Sequence, residues 1–189
     1  MNLQKINVKI YLEKGAEIPL KQVIPLFHRF IQNNLLDGLL VDVAEYTHVH
    51  EGPGVLLIAH EGNYSLDETG GERGLLYNQK RSSDTSGEGN LKTAWRRALK
   101  ACDLLEKEPE LAGKLKFNPS RMRIFVNDRL ESSGVDMGSS ELKQTIRPLL
   151  ESLTGSPVRL VKEMDPRKLT AFEVEIEKPL KLQDLIGKV

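Results

Sequence analysis

The sequence predicts an α+β protein: a two-layer sandwich in which an antiparallel or mixed sheet carries helices on one face. Three observations carry this expectation. Several segments alternate apolar and polar residues with a period of two, several others repeat apolar residues every three or four positions, and the order of these segments interleaves strands with helices. At 189 residues, 39% hydrophobic and 29% charged, the chain has the length and composition to bury a core. It reads as a single domain over 1–189.

The first strand is read at 6–12, where Ile6, Val8, Ile10 and Leu12 alternate with Asn7, Lys9 and Tyr11. A helix is read from Pro19 to about Asn33, with Leu20, Val23, Ile24, Phe27, Phe30 and Ile31 on one face. Pro25 removes a backbone donor there and predicts a kink, or a start close to it. Strands at 39–46 and 54–60 are joined by 47–53. The run 55–59 lacks alternation, so it is expected in the middle of the sheet and covered on both faces.

A hairpin is expected from 63–67 and 74–80 about the turn-rich 68–73. Residues 82–89 hold no apolar side chain and read as a loop. Asn90 is placed to cap a helix whose stripe is Leu91, Ala94, Trp95, Ala98, Leu99, Cys102 and Leu105. Past Pro109, segments 115–117 and 122–126 suggest a second hairpin about Asn118-Pro119-Ser120. Ser139 or Ser140 caps a helix to about Leu153, strands follow at 158–162 and 169–177, and the tail 180–189 reads as a short helix.

The order strand–helix–strand–strand at 6–60 recurs at 122–177, which predicts two pseudo-repeated βαββ units, 1–81 and 115–189, joined by the loop 82–89 and the helix 90–114. The competing arrangement threads the first unit, the 90–107 helix and the 122–126 strand into a ferredoxin-like βαββαβ core with a C-terminal extension.

Lys plus Arg and Asp plus Glu both number 27, which argues against a dedicated polyanion binder. The balance is uneven along the chain. Residues 1–90 hold 8 basic and 12 acidic side chains, a net of −4, and residues 91–189 hold 19 and 15, a net of +4. Such halves are suited to attract each other, within one molecule or head to tail between subunits, so a homo-oligomer is an expected partner state. One cysteine, Cys102, excludes an internal disulfide. The start lacks a signal-peptide core and the longest fully apolar run is 55–59, so a cytoplasmic location without membrane insertion is expected.

Chemistry concentrates in residues 47–64, THVHEGPGVLLIAHEGNY, which carry three of the four histidines. His48 and His50 are two apart and on a strand would point to one side. With His60 and a carboxylate such as Glu51 or Glu61 they form a candidate zinc or iron site, whose bound water a glutamate would activate. The leading reading is instead a non-enzymatic binding or assembly protein that uses the 46–64 hairpin region, with His48, His50, Glu51, His60 and Tyr64 as ligand-binding residues and no cofactor. A third reading takes Lys80, Arg81, Arg96 and Arg97 as a surface for a phosphate ligand or single-stranded nucleic acid. Gly52-Pro53-Gly54 and Gly70-Gly71 do not lead from a strand into a helix, so neither is a phosphate loop. No GxSxG elbow is present. Cys102 lies on an apolar stripe as a structural thiol, and His28 beside Phe27 and Phe30 reads as a packed or boundary residue. Asn127-Asp128-Arg129 ends a strand and reads as a helix-entry turn.

Overall fold

A computed structural model of the chain describes residues 5–16, 18–81, 86–127, 137–165 and 169–188. Its strands are β1 (Ile6–Leu12), β2 (Leu40–Tyr46), β3 (Gly54–Ala59), β4 (Gly62–Asp67), β5 (Gly74–Gln79), β6 (Phe117–Val126), β7 (Val158–Lys162) and β8 (Ala171–Ile176). Its helices are α1 (Val23–Gln32), α2 (Gly87–Lys107), α3 (Met137–Thr154) and α4 (Leu182–Ile186). The strands form one sheet in the order β2-β3-β4-β5-β1-β6-β8-β7, and each neighbouring pair is antiparallel. The helices pack on one face of it, which is the α+β sandwich the patterning predicts.

Alternation explains which face is covered. Val8 pairs with Tyr77 on one side and Ile124 on the other, and all three are fully buried. They meet the apolar stripe of α2, where Leu91, Ala94, Trp95, Ala98, Leu99, Cys102 and Leu105 are buried as the spacing requires. Each large side chain so buried contributes about 1.5–3 kcal/mol.

The opposite face carries polar groups that pair with one another. On it Lys9 lies between Leu76 and Arg123 in register. Tyr11 donates to Glu173 at 2.8 Å, Arg123 bridges Glu173 (3.1 Å) and Glu163 (3.3 Å), and Arg121 holds Glu72 at 2.6 Å. Burial, reinforced by Glu173, raises the Tyr11 phenol well above its ordinary range.

Of the two outcomes expected at Pro25, the structure has the start close to it: a 3-10 turn at Leu20–Gln22 runs into α1, so Pro25 falls in the first α-helical turn, where an amide has no intrahelical acceptor to lose. Several other expectations are corrected. β3 lies second from the sheet edge, and Leu56 and Ile58 are half-buried, so it is neither central nor covered on both faces. The hairpin about Asn118-Pro119-Ser120 does not form. Those residues lie inside β6, where the pairing with β1 shifts register between Ile10 and Leu12, and such an irregularity accommodates the missing proline amide.

α2 starts before Asn90. Ser86 is its cap, accepting from the Gly89 amide at 3.0 Å, and Asn90 is buried. α3 likewise begins ahead of Ser139 and runs through Pro148. Residues 82–85 of the expected loop, and Asp128 and Arg129 of the expected turn, lie outside the described residues. His28 is exposed rather than packed. The two βαββ units match in element order but not in position: β8 borders β6, whereas its counterpart β3 stands three places from β1. β1 and β2 are also four places apart, which differs from a ferredoxin-like core.

Candidate functional site

Strand direction decides which connections meet. β1, β2 and β4 run the same way, so the segments leaving them (13–19, 47–53 and 68–73) all emerge at one end of the sheet. There they border an open cavity of about 780 Å³ lined by Ala16, Ile18, Pro19, His50, Glu51, Glu68, Gly71 and Arg73.

The walls are tied together by backbone and buried side chains. The Glu68 amide donates to Gly52 O at 3.1 Å, joining two of the three connections. Arg73 donates from Nε to Glu68 at 2.8 Å and from Nη1 to Ile18 O at 2.6 Å, joining the third. Beneath them Lys9, only 3% exposed, donates to Asp67 at 2.6 Å and to Thr69 O at 2.9 Å. Asp67 also accepts from the Thr69 amide and hydroxyl. The turn that carries Glu68, Gly71 and Arg73 is thus anchored on a buried ion pair in β1 and β4.

Glu51 has φ +48°, a left-handed conformation that costs a non-glycine residue about 1–2 kcal/mol. It aims the carboxylate over Gly71, whose own φ is +77° and where an added Cβ would lie 3.5 Å from Glu51 Oε1. His50 is almost fully exposed, 4.0 Å from Glu51.

His60 leaves β3 at the opposite end. Six residues of β3 separate it from the 47–53 connection, a distance of about 20 Å at roughly 3.3 Å per residue. The three imidazoles therefore do not converge. His48 and His50 share one end, His60 the other, and among the described residues no group of three or more His, Cys, Asp or Glu is placed to hold a metal ion. The candidate ligand set His48, His50, His60 lacks the geometry that the H-x-H spacing suggested, because that spacing says nothing about the length of the strand that follows.

The His60 end gathers other residues singled out from the sequence. His60 Nδ1 is 3.6 Å from Glu61 Oε1, and Glu61 Oε2 accepts from the Leu39 amide at 3.1 Å. Burial opposes ionisation of Glu61, but its own amide and that of Leu39, with His60 and Arg97 nearby, hold its carboxyl below the usual range. Tyr64 is buried and packs on Tyr77 with ring centroids 4.9 Å apart. Arg97 donates to the Tyr77 hydroxyl and lies over its ring at 5.5 Å. Burial raises both phenols.

The cations proposed for phosphate are largely engaged by the fold itself. Lys100 and Arg96 lie 2.7 and 3.7 Å from the Asp37 carboxylate, and Lys80 donates to Ala59 O at 2.9 Å. Asp37 is held below the ordinary carboxylate range by its hydrogen bond from Lys100. Trp95, the one tryptophan and so the strongest platform for stacking a base, is fully buried.

The structure thus splits the sequence-predicted site. His50 and Glu51 line the cavity, His48 stands exposed beside Tyr46, and His60 and Tyr64 belong to the far end. Glu68, Gly71, Arg73, Ile18 and Pro19 complete the cavity and were not singled out as site residues. The only sequence signal for them is that 13–19 and 68–73 are connections of the same kind as 47–53. No family model matches the chain, and no curated protein matches it by sequence.

Proposed function

We propose that the protein is a non-enzymatic binding protein that holds a small polar ligand in the cavity between the 13–19, 47–53 and 68–73 connections. The single observation that carries this reading is the convergence of the three connections around about 780 Å³, within the roughly 300–1,000 Å³ usual for ligand sites. The chemistry of the lining narrows the ligand. Pro19 offers an exposed apolar wall, Arg73 is already engaged by Glu68 and Ile18 O, and Glu51 brings a carboxylate to the cavity in a strained backbone. Strain of this kind concentrates at ligand clamps. A ligand with an ammonium or other donor group facing Glu51 and an apolar part against Pro19 suits these walls.

Cys102, alone and buried, fits a reducing, cytoplasmic setting. No described helix is long and apolar enough to cross a membrane.

A fragment library of small amines and amino acids, screened by amide NMR shifts, tests the reading. Hits are expected to perturb the amides of 49–52 and 68–73. Glu51→Ala is expected to weaken them by about tenfold, the loss of one charge-assisted hydrogen bond worth about 1.5 kcal/mol. Hits that map elsewhere, or binding indifferent to Glu51, would remove the cavity from consideration.

A further inference from the structure

Among the described residues, the exposed large apolar side chains are Leu39, Val41, Tyr46, Val49, Val161 and Met164. The first four lie in or beside β2 and the last two lie in or beside β7, and these are the two edge strands of the sheet. Among the described residues, the exposed large apolar side chains thus gather at or near the two strands whose outer backbone amides and carbonyls lack a neighbouring strand. An apolar edge strand is a template for pairing with another chain.

From these edges we infer that the protein self-associates head to tail, β2 of one copy pairing with β7 of the next. Three features select this partner over other strands. The first is direction. Seven antiparallel steps separate β2 from β7, so the two strands run oppositely, and copies set edge to edge with their helices on the same side bring them together as an antiparallel pair.

The second is charge. β2 carries Asp42 and Glu45, and β7 carries Arg159 and Lys162. Two copies of β2 facing each other would oppose carboxylates, and two copies of β7 would oppose cations. Only the mixed pair sets unlike charges across the junction, and like charges across a strand pair are destabilising. These groups are partly satisfied within the molecule, Glu45 by Lys21 at 3.1 Å and Arg159 by Glu175 at 3.7 Å, so charge here chooses the partner more than it drives association. The net charges of the two halves, negative before residue 90 and positive after it, have the same sense.

The third is the matched apolar content. Val41, 58% exposed, and Val161, 48% exposed, each sit within an edge strand, Val41 just before Asp42 and Val161 between Arg159 and Lys162. A contact between unlike edges leaves one of each free at the ends, so the assembly is a ring or an open chain rather than a closed pair.

Sedimentation velocity across a concentration series tests the inference, with Val41→Lys blocking one edge and Val161→Glu the other. Circular dichroism and Trp95 fluorescence confirm that both variants fold. Wild-type protein is expected to sediment faster as concentration rises, while each variant stays at the monomer value. An equimolar mixture of the two, which restores one good β2 and one good β7, is expected to give a species of twice the monomer mass. Wild-type protein that stays monomeric throughout overturns the inference. So does a Val161→Glu variant that associates as well as wild type, since that would mean β2 pairs with itself.

Discussion

Asp67→Ala tests whether the cavity wall rests on a buried charge pair. Lys9 and Asp67 are 3% and 2% exposed and meet at 2.6 Å. Removing the carboxylate leaves the Lys9 ammonium with one remaining acceptor, Thr69 O at 2.9 Å, and strips two hydrogen bonds from Thr69. Breaking a buried pair from one side costs about 3–5 kcal/mol, because the surviving charge stays desolvated. In a chain of this size that lowers Tm by roughly 6–20 °C.

Urea denaturation read by Trp95 fluorescence gives the free energy, and amide exchange at 68–73 reports the turn itself. The turn amides are expected to lose protection together with the global change, and ligands of the cavity to bind more weakly. Lys9→Met with Asp67→Leu is expected to recover most of the stability, since a pair replaced by apolar groups of similar size leaves no stranded charge. A cost below about 1 kcal/mol for Asp67→Ala, the range of exposed ion pairs, would refute the claim that the pair is dry and anchors the wall.

Other perturbations separate strain, packing and charge. Glu51→Gly relieves a left-handed non-glycine residue and is expected to raise stability by about 1 kcal/mol in urea melts while weakening ligand binding; a loss of stability would mean the side chain contributes more than its backbone costs. Gly54→Ala places a Cβ 2.1 Å from Leu66 O at φ +65°, so it is expected to cost at least about 3 kcal/mol, measured by the same melts. Asp37, lowered by Lys100, binds its proton more readily when unfolded. Its contribution is therefore complete above the ordinary aspartate pKa of about 4 and is lost as pH falls through the depressed folded value. Asp37→Asn should flatten this part of the acid limb in a pH series of melts. Cys102 is fully buried and its thiol is pushed well above the normal range by burial, so Ellman's reagent should react with it only at the rate of unfolding.

The local elements were legible in the amino acids because their cause is local. Ile6, Val8 and Ile10 alternate, and the 91–105 stripe has helical spacing, so β1 and α2 declare their buried faces without reference to anything else. The turn-rich residues 68–73 are equally local, and they set the start of β5 at Gly74. Failures occur where a neighbour overrides the local signal. Pro119 marks a turn in isolation, yet it lies within β6 because the pairing with β1 is irregular beside it. Val55-Leu56-Leu57-Ile58-Ala59 reads as central, yet its place is set by β2 and β4 on either side.

By itself the amino-acid pattern determined the α+β class, most of the elements, and a chemically dense stretch at 47–64, since periodicity and turn chemistry act over a few residues. Tertiary structure alone decided that His50 and Glu51 face Arg73 and Glu68 across a cavity while His60 stands a strand's length away. It also decided that Lys9 is buried on Asp67, and that unlike charges end up on opposite edges of the sheet. Those relations depend on strand order and direction, which bring together residues that no short window of sequence contains.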